Sequence, residues 1–141
     1  MSAALEYSFF AMLLAGATTA QASPDFEPGL WETRVETQMV GAPMAIPPVS
    51  HRECITREHL IPKTTQQPDA GCTVIDHRIS GNTVRWHLRC DHEGARIESN
   101  GTVIYAGESF KGQVLSRVRG DPQGTMKMTQ NLTGHRLGPC P

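Results

Sequence analysis

Apolar and polar side chains alternate through the middle of the chain, most clearly in residues 83–90, Thr-Val-Arg-Trp-His-Leu-Arg-Cys. A period of two is typical of a β-strand with one buried face and one exposed face. The dipeptide Gly81-Asn82 stands just before this strand, and such a pair is typical of a two-residue hairpin turn. A turn here would bring the apolar faces of two strands together, pairing Ile79 with Val84, His77 with Trp86, and Ile75 with Leu88.

The same pattern predicts a second hairpin further along the chain. Gly107-Glu108 is a turn signal with glycine in the first position, and the residues on either side of it match. Large side chains face small or apolar ones in the pairs Tyr105–Phe110, Val103–Gly112, Gly101–Val114 and Ile97–Val118. Agreement between the turn and the side-chain pairing favours a hairpin over a chance pattern.

The alternation also predicts strands at both ends of the domain. Residues 29–39 would form the first strand, with one face exposed to solvent, and a short second strand would run over residues 50–54. The last strand would carry on its inner face Met126, Met128, Gln130, Leu132 and Gly134.

Two segments between strands break the pattern. Residues 41–49 hold three prolines, which disfavour an interior strand or a helix, so we expect an extended loop with Met44 and Ile46 exposed. Thr56 is a candidate N-cap, and Pro62 would stop the turn that follows it. One short helix is therefore expected over residues 56–61.

Together these elements predict an all-β fold of about seven antiparallel strands in sequential order, with the one short helix. Glycines at the inward positions 101, 112 and 134 favour a bent, strongly coiled sheet. A curved meander or partly open barrel is the simplest architecture that fits, and a sandwich of two sheets is the alternative.

The N-terminal segment has the pattern of a secretory signal peptide. The apolar run over residues 9–17 is too short to span a bilayer, and residues 20–22, Ala-Gln-Ala, form a small-residue cleavage pattern. The one charged residue of the segment is Glu6, whereas signal peptides usually begin with basic residues; a short buried helix is the alternative. We expect residues 1–22 to be a signal peptide and 23–141 to form one disulfide-bonded β domain, periplasmic or secreted.

The charge and hydropathy of the chain limit the kinds of partner that we expect the domain to bind. The chain holds 13 basic and 14 acidic residues; removing Glu6 with the first 22 residues leaves 13 of each, a formally neutral domain. A neutral domain does not use net charge to bind nucleic acid or an acidic membrane. No second apolar stretch is long enough to span a membrane. The expected partners are a small apolar ligand or another periplasmic protein.

Four cysteines, Cys54, Cys72, Cys90 and Cys140, follow the predicted signal peptide. In an exported chain an even number predicts two disulfides, and the spacing contains no C-x-x-C motif of a thioredoxin-like or zinc site. In the hairpin register above, Cys90 points to the core and Cys72 to the opposite face. A bond between them would need a register slip or a later strand start, so the favoured pairing is Cys54–Cys72 with Cys90–Cys140.

Five short motifs occur in an order that resembles a bacterial family, domain of unknown function 3617. They are Pro28-Gly29-Leu30-Trp31-Glu32, Pro43-Met44-Ala45-Ile46-Pro47, Cys54 followed by Thr56, Ser80-Gly81-Asn82-Thr83-Val84 with Trp86 and Cys90, and Arg136-Leu137-Gly138-Pro139-Cys140. The resemblance spans nearly all of the chain after the predicted signal peptide. It implies a small exported bacterial protein with paired cysteines, and it supplies no activity, ligand or catalytic residue.

A concave apolar face is the best candidate for a binding site. The predicted register directs one set of side chains to a common face: Trp31, His77, Trp86, Tyr105 and Phe110. Polar residues are also expected to point inward, namely Thr33, Thr37, Ser99, Ser116 and Gln130. So much polarity on an inner face favours a small-ligand cavity, although strand ends exposed to solvent could account for several of these residues. His77 would be either a hydrogen-bonded core residue or a polar group of that cavity.

A soft-metal site is the alternative function. Met126-x-Met128 would place two thioethers on one side of a strand, and thioether and imidazole ligands suit copper in an oxidising compartment. The simpler interpretation is that these methionines fill gaps in the core, because no histidine stands at a ligand spacing beside them.

No motif of a hydrolase, metalloprotease or phosphate-binding loop occurs, and no serine or cysteine has an evident base partner. We therefore expect no catalytic residue and no cofactor. The sequence is best interpreted as that of a non-catalytic binding or interaction module, with soft-metal handling as the alternative.

Overall fold

The computed structural model describes residues 23–42, 44–62, 71–121 and 124–141. The predicted signal peptide, residues 1–22, lies outside the described residues. Seven strands make up most of the described chain: β1 (Gly29–Met39), β2 (Val49–Ile55), β3 (Cys72–Ser80), β4 (Thr83–His92), β5 (Ala95–Ala106), β6 (Ser109–Asp121) and β7 (Gly124–Gly138).

All seven strands form one antiparallel sheet in the order β2-β1-β7-β6-β5-β4-β3. Strands β3 to β7 form the predicted meander. The first strand pairs with the last, β1 with β7. The strands therefore follow one another in sequential order around the sheet, and its two free edges are β2 and β3. The prediction of a seven-stranded antiparallel fold is confirmed. Strands that are neighbours in sequence pair throughout the sheet except for β2 and β3.

The sheet is strongly curved. Trp31 in β1 and Tyr105 in β5 are three strand spacings apart, about 14 Å in a flat sheet with strands about 4.8 Å apart. The centroids of their rings are 6.1 Å apart. The sheet therefore curls around its buried side chains, and we call the concave side the inner face and the convex side the outer face.

Two glycines let aromatic rings lie flat against the inner face. Gly101 is the cross-strand partner of Trp86, and Gly134 is the partner of Phe110. A Cβ atom at either glycine would collide with the ring of its partner. Both rings therefore lie over bare backbone, which explains the inward glycines and accompanies the bend of the sheet.

The predicted hairpin registers are confirmed with one exception. All four pairs predicted around Gly107-Glu108 occur, as do the pairs of Ile79 with Val84 and of His77 with Trp86. The predicted pair of Ile75 with Leu88 is wrong, because β3 has an irregularity between Val74 and Asp76 that places Val74 opposite Leu88. The extra residue reverses the alternation of β3 on its N-terminal side.

That irregularity decides the disulfides. It turns Cys72 to the face of Cys90, and the two are bonded, as are Cys54 and Cys140. The prediction that all four cysteines form disulfides is confirmed, but the favoured pairing is wrong. The second bond follows from the topology, because Leu30 of β1 has Cys54 on one side and Gly138 on the other. The chain end after β7 is thereby brought close to β2.

The expected helix over residues 56–61 is wrong, and no helix occurs in the described residues. Residues 56–59 form a tight turn in which the His59 amide donates to the Thr56 carbonyl over 3.1 Å. Only a few residues separate the end of β2 from Pro62, too few to offset the cost of nucleating a helix. We call residues 56–62 the β2 turn.

Candidate functional site

Four of the five predicted site residues form the core. Trp31, Tyr105 and Phe110 are buried and their ring centroids lie 5.5 to 6.1 Å from one another. Trp86 is also buried, and its Nε1 has no hydrogen-bond partner among the described residues. The rings thus fill much of the inner face themselves. The fifth residue, His77, lies on the same face but is exposed.

The inward polar residues are also in place. The hydroxyl groups of Ser99 and Ser116 are both buried and hydrogen-bonded to each other over 2.7 Å. Thr37 and Gln130 are cross-strand partners and half-buried. Thr33 is fully buried, and its Oγ1 has no partner among the described residues. Ser99 and Ser116 therefore satisfy each other within the sheet, whereas Thr33 does not find such a partner among the described residues.

The open part of the inner face lies along β3. Apart from half-buried Cys72, every residue of β3 is exposed, including the aliphatic residues Val74 (38% exposed) and Ile79 (43%). These two side chains and His77 form one wall of a groove whose other wall is the β2 turn. We call this space the β3 groove.

The β3 groove has two adjoining compartments that share Arg57, Leu60, His77 and Ile79. One, of about 420 Å³, extends to residues 23–28 before β1 and to the β3–β4 turn, and its further lining residues are Ser23, Pro24, Phe26 and Gly81. The other, of about 390 Å³, lies between β3 and the β2 turn, and its further lining residues are Glu58, His59, Ile61, Val74 and Val84. Each compartment falls within the size range of small-molecule sites.

The β2 turn is fixed to the core by one buried hydrogen bond. The Tyr105 hydroxyl donates to the Leu60 carbonyl over 2.6 Å, and Leu60 and Pro62 are buried. Burial of this phenol, together with the nearby Glu53 carboxylate, raises the pKa of Tyr105 well above its ordinary value. Tyr105 is therefore a neutral donor at any physiological pH, and it holds the wall of the groove in position.

The segment before β1, residues 23–28, forms the floor of the compartment of about 420 Å³. Phe26 packs edge-on against Tyr105 at 4.9 Å between ring centroids. Its neighbours are tied to two turns of the sheet. The Asp25 amide donates to Asn82 Oδ1 over 2.8 Å, and the Gly107 amide donates to the Asp25 carbonyl over 2.8 Å. The groove is thus built on hydrogen bonds between segments far apart in sequence.

The polar groups of the groove stand at its rim. Arg57 donates to the Phe26 carbonyl over 3.3 Å, which places the guanidinium beside the floor. It makes no ion pair with a carboxylate of the described residues. A hydrogen bond from the Thr56 hydroxyl lowers the pKa of Glu58, so this exposed carboxylate remains ionised. Because Arg57 lines both compartments, it could hold the polar group of a largely apolar molecule in a fixed orientation.

The sequence patterns do not single out Phe26, Arg57 or Leu60. Phe26 lies between two prolines before the first strand, and Leu60 and Ile61 lie in a segment that alternation does not describe. An aromatic residue just outside a strand, and an apolar pair before Pro62, were the available signals. Neither says which part of the sheet it covers, because that depends on the long-range bond between Tyr105 and Leu60.

The methionines of the alternative function lie at the other end of the inner face. Met39 in β1 is the direct partner of Met128 in β7, and Met126 is two residues from Met128 on the same strand. All three are half-buried. The described residues contain no group of three or more His, Cys, Asp or Glu side chains that could hold a metal ion.

Two properties bear on where the protein resides. Two disulfides indicate an oxidising environment outside the cytosol. The part of the chain that the structure describes contains no helix long and apolar enough to cross a bilayer.

A family model described as "Protein of unknown function (DUF3617)" matches residues 26–140. These residues run from Phe26, on the floor of the groove, to Cys140, in the disulfide that joins the chain end to β2. No curated protein and no solved structure matches the chain. Since the match covers nearly the whole chain and all seven strands, this protein belongs to the DUF3617 family.

Proposed function

We propose that the protein is an exported, non-catalytic binding module that holds a small, largely apolar molecule in the β3 groove. The observation that carries this proposal is the uncovered inner face of β3. Val74 and Ile79 are on average about 40% exposed opposite the β2 turn, in which Leu60 is buried, and covering them with a ligand would stabilise the complex by the hydrophobic effect.

Arg57 fixes the orientation of the ligand. Its guanidinium is held by the Phe26 carbonyl and still has donors to spare, since Arg carries five N–H groups. A ligand with a polar or acidic end would place that end at Arg57 and its apolar body along Leu60 and Ile79.

The binding test uses the fluorescent probe 1-anilinonaphthalene-8-sulfonate, which combines an apolar body with an anionic group. The unmodified protein is expected to bind it with saturable fluorescence. Ile79→Asp is expected to weaken binding at least about tenfold, because it puts a desolvated charge against the apolar body. Arg57→Gln is expected to weaken it by a smaller factor.

Ile104→Asp is the matched control. Ile104 is similarly exposed at 53%, but it lies on the outer face, so its replacement should leave probe binding unchanged. Equal binding by the Ile79→Asp and Ile104→Asp variants would contradict the groove as the site. Native mass spectrometry of protein from a periplasmic extract provides a second measurement: an apolar molecule bound to the unmodified chain supports the proposal, and a bare chain contradicts it.

Export is part of the same proposal, supported by the two disulfides and by the Ala-Gln-Ala pattern at residues 20–22. Cleavage after Ala22 would leave Ser23 as the first residue. The mass of the protein recovered from the periplasm of expressing bacteria checks this directly. A full-length chain retained in the cytosol with free thiols would contradict export.

A second candidate function rests on the three methionines. Met39 and Met128 face each other across β1 and β7, with Met126 beside them, and three thioethers on one face are suitable ligands for Cu(I). Titration with Cu(I) under reducing agent-free, anaerobic conditions is expected to give one bound ion, lost in the Met126→Leu/Met128→Leu variant. If the variant binds as much copper as the unmodified protein, these methionines are core residues only.

A further inference from the structure

The free edge of β3 offers an unused set of backbone hydrogen-bonding groups. Among the described residues β3 pairs with β4 alone and lies at the end of the sheet. An exposed strand edge is a template for pairing with another strand unless the protein protects it. Beyond the irregularity near Ile75, β3 offers a regular run to Ser80.

The register shows which groups point outward. Ser80 and Thr83 flank a two-residue turn, with Gly81 at φ +57°, so they form the hydrogen-bonded pair next to the turn. Hydrogen-bonded and non-hydrogen-bonded pairs alternate along an antiparallel ladder. The pair of His77 with Trp86 is therefore non-hydrogen-bonded. The N–H and C=O groups of His77 point away from β4, and those of Ile79 do the same.

Charges on the outer face of β3 are unbalanced within one chain. Arg78 lies directly opposite Arg85, and Asp76 lies opposite His87. No ion pair of Arg78, Arg85 or Asp76 occurs among the described residues. Like charges directly opposite each other on a sheet destabilise it. The two arginines therefore present an unpaired cationic site next to the free edge.

We propose that this edge pairs antiparallel with β3 of a second copy of the chain, in a register centred on His77. In a pairing centred there, residue 76 of one copy meets residue 78 of the other. Each Asp76 then faces the partner copy's Arg78, beside Arg85. The charge pattern of the strand is thus complementary to itself, as a twofold-symmetric interface requires.

A register centred on His77 also matches the backbone hydrogen-bonding groups. Because the N–H and C=O groups of His77 both point outward, the two His77 residues exchange two hydrogen bonds across the twofold axis. The two seven-stranded sheets would then join into one. A single strand pair buries less area than a standard interface, so the dimer is reversible and depends on concentration.

Sedimentation velocity of the disulfide-bonded protein across a wide concentration range is the test. The unmodified protein is expected to shift from monomer to dimer. Arg78→Asp is expected to raise the dimer dissociation constant at least about tenfold, because it turns two attractive cross-strand pairs into repulsive ones. The exchanged variant Asp76→Arg/Arg78→Asp is expected to restore the dimer, since the complementary pairs return with reversed sign.

Lys111→Asp is the control, because Lys111 is an exposed cation on the outer face of β6, away from the edge. It should dimerise as the unmodified protein does. A protein that is monomeric at all concentrations overturns the proposal. So does an Arg78→Asp variant that still dimerises, or an exchanged variant that stays monomeric while its unfolding midpoint matches that of the unmodified protein. Binding of the fluorescent probe is read separately and does not depend on the dimer.

Discussion

The two edge strands of the sheet, β2 and β3, differ although both carry alternating patterns and a disulfide. On β2 the inward Ile55 is 1% exposed, whereas on β3 the inward Ile79 is 43% exposed. Ile55 belongs to the buried core, as does Leu60 of the β2 turn, whereas every β3 residue except Cys72 is exposed. The two edge strands of one sheet can therefore differ in how far their inward side chains are buried.

Their charges differ in the same way. Arg52 on β2 pairs with Glu32 of the neighbouring strand over 3.0 Å, whereas Arg78 on β3 faces Arg85. Arg52 of β2 thus has an acidic partner within the chain. The β3 edge carries both an uncovered apolar face and an unpaired charge, and this is why both proposals concern it.

The largest expected contrast lies in the disulfides. Cys54–Cys140 closes a separation of 86 residues and holds β2, and Cys72–Cys90 closes 18 and holds β3. In the chain-entropy model, replacing the first pair by alanine lowers the free energy of unfolding by about 4.5 kcal/mol and replacing the second by about 3 kcal/mol. Urea unfolding of the two double variants measures both. A larger loss for the Cys72–Cys90 pair would show that the β3 edge is the more important to stability.

The same substitution on each edge strand isolates burial. Ile55→Ala is expected to cost about 2–5 kcal/mol, because it leaves a cavity in the core. Ile79→Ala is expected to cost at most about 1 kcal/mol, since much of that side chain is already in water. Denaturant midpoints at a concentration where the protein is monomeric give both values. Equal losses would mean that β3 is covered in solution.

Removing the hydrogen bond that fixes the β2 turn is expected to have an effect of intermediate size on stability. Tyr105→Phe leaves the buried Leu60 carbonyl without its donor and is expected to cost about 1–3 kcal/mol. It should also weaken probe binding, since the turn is one wall of the β3 groove. Unfolding and probe titration on one variant test both effects, and a variant with normal stability and normal binding would contradict this role.

Tyr105 also gives a pH dependence with a definite sign. Its pKa is raised in the folded protein, so its contribution to stability is complete below the unfolded-state pKa of about 10 and is lost as the pH rises beyond it. The free energy of unfolding should fall more steeply above that pH for the unmodified protein than for the Tyr105→Phe variant. Parallel curves from urea unfolding would contradict burial of the phenol.

The smallest expected effects concern the exposed arginines. Arg52→Gln removes an ion pair and should cost about 0.2–1 kcal/mol. Arg78→Gln relieves its repulsion with Arg85 and should raise the stability of the monomer by a similar or smaller amount. Thermal unfolding at low and high salt measures the stability change of each variant. High salt should reduce both changes, because it screens the charges. If both substitutions change the stability in the same direction, the proposed electrostatic difference between β2 and β3 is wrong.

Local patterns predicted much of this fold. Alternation around Gly81-Asn82 and Gly107-Glu108 located two hairpins and nearly all of their pairs, because turn type and side-chain period constrain neighbours in sequence directly. The pattern missed the irregularity at Ile75, since one extra residue leaves no mark in composition. That single residue reversed the orientation of Cys72, and the favoured disulfide pairing was wrong for this reason.

The candidate site was less accessible to such reasoning. Alternation correctly placed His77 on the face of Trp86, but it could not show that the aromatic rings fill that face while β3 is left open. The helix expected over residues 56–61 is a turn fixed by Tyr105, a residue more than forty positions away. Arg57 and Phe26 also line the groove because of a contact between distant segments, the hydrogen bond from Arg57 to the Phe26 carbonyl.

The sequence by itself determined the strands, the hairpins, the inward aromatic residues and the presence of two disulfides, because each depends on side-chain period, turn residues or cysteine number. The tertiary structure alone decided that β1 pairs with β7, which cysteines bond, and which edge remains uncovered. These depend on contacts between segments distant in sequence, where curvature and packing select among arrangements that the local pattern allows equally.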